Sequence, residues 1–261
     1  MRWQTAAGIA GLVFLLTGEP VLAQEQLVKL PTRPGVEQPF WVDEPAGAPV
    51  ASVILFAGGE GYLGSARGPT LNNQNFLVRT RGKFAAQGFL VAIPDVPSDH
   101  PSGLGEFRSS SEHATDIAAV IAYMRKKAPV PVWLVGTSRG TISAANAAAR
   151  LKTGGPDGLV LTSSIVAPSR RESAIIGTVD VASITVPTLF LHNREDGCSV
   201  SNFGGVTGLM NAFTQVPKRD LIVVEGGSPP QSDPCEALSR HGYLGIEDQV
   251  VTAIAHWIKG P

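Results

Sequence analysis

Six short runs of Val, Ile, Leu and Phe recur along the chain. They are ASVILF ending at Phe56, FLVAI at Ile93, VWLV at Val135, LVLT at Thr162, TLFLH at His192 and LIVVE at Glu225. None alternates apolar with polar residues. A strand with one wet face must alternate, because successive side chains point to opposite faces. Unbroken runs therefore predict strands covered on both sides. Helical periodicity fills the gaps between them. Ile117, Val120, Ile121 and Met124 fall at i, i+3, i+4 and i+7 after Ser109-Ser110-Ser111 and make one apolar face. Glu112 stands in the first turn of that helix and Arg125, Lys126 and Lys127 in its last, which suits the helix dipole at both ends. Val250, Val251, Ile254, Trp257 and Ile258 repeat the pattern before Gly260-Pro261. Strands alternating with helices give an α/β class, with a mostly parallel central sheet and helices on both faces. The segment from Leu27 to Pro45, broken by Pro31, Pro34 and Gly35, predicts a hairpin on the sheet edge. No linker-like stretch divides residues 24–261, so they are expected to form a single domain.

The first residues read as an export signal. Arg2 is a short positive region, an apolar run follows from Ala6 to Leu16, and TGEPVLAQ then carries small or branched side chains at Val21-Leu22-Ala23. The run is about half of the ~20 residues a membrane span needs. Residues 1–23 are therefore expected to be a cleaved signal peptide. The mature chain would be periplasmic or secreted, without stable membrane insertion. Export changes how Cys198 and Cys235 read. An even count in an oxidising compartment predicts a disulfide, and two distant Cys without a CxxC make a poor zinc set, so no metal is expected. Lys+Arg is 21 against Asp+Glu 22, a net charge of −1, which leaves no basic excess to neutralise phosphates. Nucleic acid is accordingly not an expected partner. The sequence is silent on oligomeric state.

One strand-to-helix junction carries chemistry. VWLVGTSRGTISAANAAARL holds Gly136-Thr137-Ser138-Arg139-Gly140, a G-x-S-x-G with an apolar strand running in and an Ala-rich helix running out. The turn between them is tight enough to need glycine at both ends. It would hold the Ser138 hydroxyl at a helix N-terminus, beside backbone N–H groups free to bind an oxyanion. A serine hydroxyl needs a base, and the base needs an orienting acid. Two later loops supply candidates. Asn193-Arg194-Glu195-Asp196-Gly197-Cys198 follows one strand, with Asp196 the first choice of acid and Glu195 its competitor. His241, in the loop after the last strand, is the candidate base. His256 lies within the final helix, His192 ends a strand and is expected to order the acid loop, His100 sits in a Pro/Ser-rich loop and His113 in the first turn of a helix.

With these pieces in order, the chain resembles the α/β-hydrolase superfamily. The resemblance rests on GTSRG, LHNREDGCSV, RHGYLGIEDQVVTAIAHWI and an early strand ending in FAGGEG, and it spans the mature chain nearly end to end. It implies the α/β-hydrolase fold, with Ser138 as nucleophile, Asp196 as acid and His241 as base. Ala57-Gly58-Gly59 stands where esterase members often have His-Gly. A backbone donor from Gly59 or Glu60 would pair with the Arg139 N–H as the oxyanion hole.

Gly59-Glu60-Gly61-Tyr62-Leu63-Gly64 also spells G-x-G-x-x-G, but Ser65-Ala66-Arg67-Gly68-Pro69 breaks the helix that a dinucleotide site requires, so no cofactor is expected. The side chains of Arg79 and Arg81 read as solvated; that of Arg139 reads first as solvated, with a carboxylate such as Glu60 or an anionic substrate group as its alternative partner. Residues 163–187 are too few for a large helical lid, and the Pro94–Ser111 loop is the expected rim. The expectation is an exported serine hydrolase acting on carboxylic esters of small or soluble substrates. A peptidase or amidase with the same triad is the first alternative, and a non-catalytic binding protein on this fold is the second.

Overall fold

The computed structural model describes residues 1, 25–169 and 174–260; the segment read as a signal peptide lies outside it apart from Met1. The strands are β1 Gln26–Arg33, β2 Val36–Asp43, β3 Ala51–Phe56, β4 Phe89–Pro94, β5 Val132–Thr137, β6 Gly158–Thr162, β7 Thr188–Asn193 and β8 Arg219–Val224. They form one sheet in the order β1-β2-β4-β3-β5-β6-β7-β8. From β4 to β8 every neighbouring pair is parallel. The β1–β2 hairpin adds antiparallel at the β4 edge, where the Pro31/Gly35 signals placed it. The helices are α1 Phe76–Arg79, α2 Arg81–Ala86, α3 Ser111–Lys127, α4 Gly140–Arg150, α5 Ile175–Thr178, α6 Val206–Ala212 and α7 Glu247–Lys259.

The unbroken apolar runs are explained by two cores, one on each face. Along β3, Ile54 and Phe56 pack with α3, α4 and α6 residues such as Ile121, Ala145 and Leu209. Val53 and Leu55 pack on the other face with Phe84 of α2 and Val250 and Ile254 of α7. Every residue of β3 is buried. Burying one such side chain contributes roughly 1.5–3 kcal/mol, so a polar residue here would cost a large part of the net stability of a domain this size. The edge strand β8 departs from the pattern, since only its Val224 is buried. Helix α3 starts as its Ser run suggests, with the Ser110 side chain accepting the His113 N–H at 3.0 Å. Among the described residues no helix is long and apolar enough to cross a membrane.

Candidate active site

The carboxyl ends of β3, β5, β7 and β8 open onto a cavity of about 680 Å3. Ser138 and His241 both line it, with Gly58, Gly59, Asn75, Arg139, Cys198 and Cys235. Ser138 follows β5 directly and has φ +52°, a left-handed conformation that a non-glycine residue adopts only when its surroundings impose it. Those surroundings are the two glycines of the motif. A Cβ on Gly140 would collide with the Phe56 carbonyl oxygen, and one on Gly136 would lie 2.5 Å from the Gly140 carbonyl oxygen. The Ser138 N–H donates to Thr162 O at 3.1 Å, which ties the turn to β6.

Of the two neighbouring carboxylates, Asp196 is the one that reaches His241. Asp196 Oδ2 accepts from His241 Nδ1 at 2.8 Å, and Asp196 Oδ1 accepts the Cys198 N–H at 2.9 Å. Glu195 turns outward, where it accepts the Gly226 N–H at 3.0 Å and faces Arg240 at 3.4 Å. His192 Nε2 donates to Ser201 O at 2.6 Å and stands 3.4 Å from Asp196 Oδ2, so this strand-end histidine does order the loop. Burial pushes the Asp196 carboxyl up, but the hydrogen bonds from His192 and His241 outweigh it and hold it below the usual carboxylate range. An ionised Asp196 fixes the His241 proton on Nδ1. The Nε2 lone pair is left as an acceptor, and among the described residues Nε2 has no hydrogen-bond partner, Ser138 Oγ included.

Cys198 and Cys235 form a disulfide that joins the acid loop to the histidine loop across 37 residues. In the chain-entropy view, closing such a loop stabilises by about 4 kcal/mol. The Cys198→Ser/Cys235→Ser variant is expected to lose most of that in urea unfolding, and turnover should fall further than stability alone explains. Unchanged turnover in the folded variant would show that the bridge does not position the site.

Several supports were not visible in the sequence. Ser163 (φ +43°) and Tyr243 (φ +59°) are, with Ser138, the non-glycine residues of positive φ among the described residues. Ser163 Oγ donates to the His241 carbonyl at 2.8 Å and lies 2.9 Å from the Tyr243 hydroxyl, which in turn donates to Leu191 O at 3.0 Å. Arg79 is not solvated. Its guanidinium donates to Gly242 O at 2.6 Å and to Gln74 O at 2.7 Å, and pairs with Glu247 at 2.9 Å. Arg81 likewise pairs with Glu25 at 3.0 Å and donates to Val78 O at 2.9 Å. The Arg139 side chain, read first as solvated, pairs with its alternative partner, Glu60, at the cavity mouth. Arg79 and Arg81 exchange water for fixed partners because the loops fold back over them.

The Pro94–Ser111 loop does not form the cavity rim. It lies behind the Gly59–Glu60 turn and delivers Arg108, which is 1% exposed. One Arg108 nitrogen donates to both Ala57 O and Gly59 O at 3.1 Å, and the other to Ser143 Oγ at 2.8 Å. Because a trans peptide sets N–H opposite C=O, the N–H groups of Gly58 and Glu60 point away from Arg108. Gly59 itself has φ +58°, and Gly61 N closes the turn on Gly58 O at 3.3 Å. The glycine-rich segment continues into a three-residue 3-10 turn, Ser65–Arg67, pinned by Asp95 accepting the Leu63 and Ser65 N–H groups at 2.6 and 2.7 Å.

The same Ser143 hydroxyl lies 2.9 Å from Nε2 of the buried His113. Burial, reinforced by the nearby Arg108, His100 and Arg33, lowers the His113 pKa to about 3. The folded state thus binds this proton less well than the unfolded chain. The penalty is absent above the ordinary histidine value and grows as pH falls from there towards 3. Stability is expected to drop by about 1.4 kcal/mol per pH unit across that window from this group alone. Urea midpoints measured from pH 7 to pH 4 check this, and His113→Gln should flatten the slope. An equal slope in the variant would refute it.

No protein-family model matches the sequence, and no curated protein does. Solved structures do resemble the fold. A lidless α/β serine hydrolase from Xanthomonas campestris aligns with a TM-score of 0.61 at 16% identity, over 92% of this chain and 95% of that one. An esterase from Pyrococcus furiosus aligns with a TM-score of 0.63 at 14% identity, over 91% and 92%. Dipeptidyl peptidase 4 from Porphyromonas gingivalis aligns at 0.62 and 11% identity, over 91% of this chain and 35% of that longer one. With a mostly parallel sheet flanked by helices on both faces and a Ser turn after β5, the chain has the α/β-hydrolase fold.

Proposed function

We propose that the chain is an exported serine hydrolase that cleaves carboxylic esters of small or soluble substrates through an acyl-enzyme. The observation that carries this reading is the Asp196–His241 hydrogen bond, which presents an unbonded Nε2 in the same cavity as Ser138. Ser138 Oγ attacks the acyl carbon, the carbonyl electron pair moves onto oxygen, and the hydroxyl proton passes to His241 Nε2. The tetrahedral intermediate then collapses, the alcohol leaves with that proton, and water repeats the sequence to free the acid. Asp196 holds the imidazole in the accepting tautomer and stabilises its charged form. The Arg139 N–H and a backbone N–H from Gly59 or Glu60 would receive the oxyanion, each such donor being worth about 2.7–4 kcal/mol in comparable sites. Of the described residues in 163–187, Ile165 lines the cavity of about 680 Å3 and the four-residue helix α5 does not, which suits short acyl groups.

A fluorophosphonate probe tests the reading: it should add once, at Ser138, while p-nitrophenyl esters of rising acyl length are turned over. A protein that takes up no probe is not this enzyme. The amidase reading is favoured by the likeness to a peptidase, and parallel aminoacyl-amide substrates separate the two. Export is supported by the N-terminal pattern and by the disulfide. A mature chain retaining residues 1–23 would overturn that part.

A further inference from the structure

The backbone offers two oxyanion donors, yet a tetrahedral oxyanion has three lone pairs. We propose that the side-chain amide of Asn75 is the third donor, an inference that rests on the Ser138 reading above. Asn75 forms part of the cavity wall. It caps α1, its Oδ1 accepting the Leu77 N–H at 3.2 Å, which fixes which end of the amide is which. Nδ2 is turned the other way, towards Gly58. A Cβ placed on Gly58 would lie 3.3 Å from Asn75 Nδ2, 3.0 Å from Ser138 Cβ and 3.2 Å from Thr137 O. The amide nitrogen and the nucleophile therefore reach the same point, and glycine at position 58 leaves the space between them open.

The segment that carries Asn75 is held on both sides. Its own N–H donates to Asn73 Oδ1 at 2.8 Å. Arg79 clasps Gln74 O on one side and Gly242 O, next to His241, on the other. A donor held this firmly needs little rearrangement as charge develops, which is the condition for electrostatic stabilisation. Capping alone does not call for asparagine, because Ser, Thr or Asp would supply the acceptor equally well. What Asn adds is the N–H2 group, and among the described residues no acceptor takes it up.

Asn75→Ser and Asn75→Asp both keep a capping oxygen and remove the amide donor. With a p-nitrophenyl ester, kcat is expected to fall about 10²–10³-fold with KM little changed, and the melting temperature should stay near that of the parent. Affinity for an alkyl boronic acid, which forms a tetrahedral anionic adduct on Ser138, should fall in step with kcat/KM. Two outcomes would reduce Asn75 to a cap: kcat within about threefold of the parent in both variants, or lost kcat with undiminished boronate affinity. A parent protein that neither turns over ester nor takes up fluorophosphonate overturns the Ser138 reading and this proposal with it. A parent that does both, beside unchanged variants, overturns Asn75 alone.

Discussion

Ser138→Ala is expected to lower ester turnover by about 10⁶-fold while leaving the melting temperature nearly unchanged. The size follows from the position. Ser138 occupies a turn whose backbone is fixed by Gly136, Gly140 and the bond to Thr162 O, so alanine keeps the turn and removes only the hydroxyl. His241→Ala should cost about as much, and the double variant little more, because the pair acts as one unit. Steady-state rates of the three proteins, with background hydrolysis subtracted, check this. A single-variant loss under about tenfold would mean that the chemistry lies elsewhere.

Asp196→Asn is expected to lower kcat by about 10⁴-fold with the structure intact. The geometry gives the reason. The Cys198 N–H already donates to Oδ1, so an asparagine at 196 would place its oxygen there and its N–H2 group against His241 Nδ1. That forces the imidazole proton onto Nε2, where it can no longer accept from Ser138. Glu195→Gln should change kcat little, since Glu195 faces Gly226 and Arg240. Reversed outcomes for the two substitutions would move the acid role to Glu195. Asp196 also contributes to stability. Its folded pKa lies below the unfolded value, so that contribution is present above the ordinary carboxylate pKa and is lost as pH falls through the folded one.

The strands were legible because burial on both faces leaves a continuous apolar signature, and the hairpin was legible from its Pro and Gly breaks. The Ser138 turn could be read because motif, strand and helix are contiguous. One residue of loop register separates Asp196 from Glu195, and only the turn closed by Asp196 N on Asn193 O resolves it. The supporting residues were illegible for a common reason. Arg108 acts on a carbonyl 51 positions away, Ser163 on one 78 away and Arg79 on one 163 away. None of these pairings leaves a local pattern. Local polarity likewise does not reveal the partners of Arg79 and Arg81, which come from loops that return from elsewhere.

Arg108 has a consequence for the strength of the N–H donors of the Gly59–Glu60 turn as well as for its shape. A peptide unit whose carbonyl is bonded to a buried cation is polarised along its length, and the N–H at its other end becomes a better donor. Ala57–Gly58 and Gly59–Glu60 are both units of this kind. The guanidinium sits on the side of the turn away from solvent, so salt should screen it weakly. It would act as a standing source of positive potential beneath the turn, present before any substrate arrives.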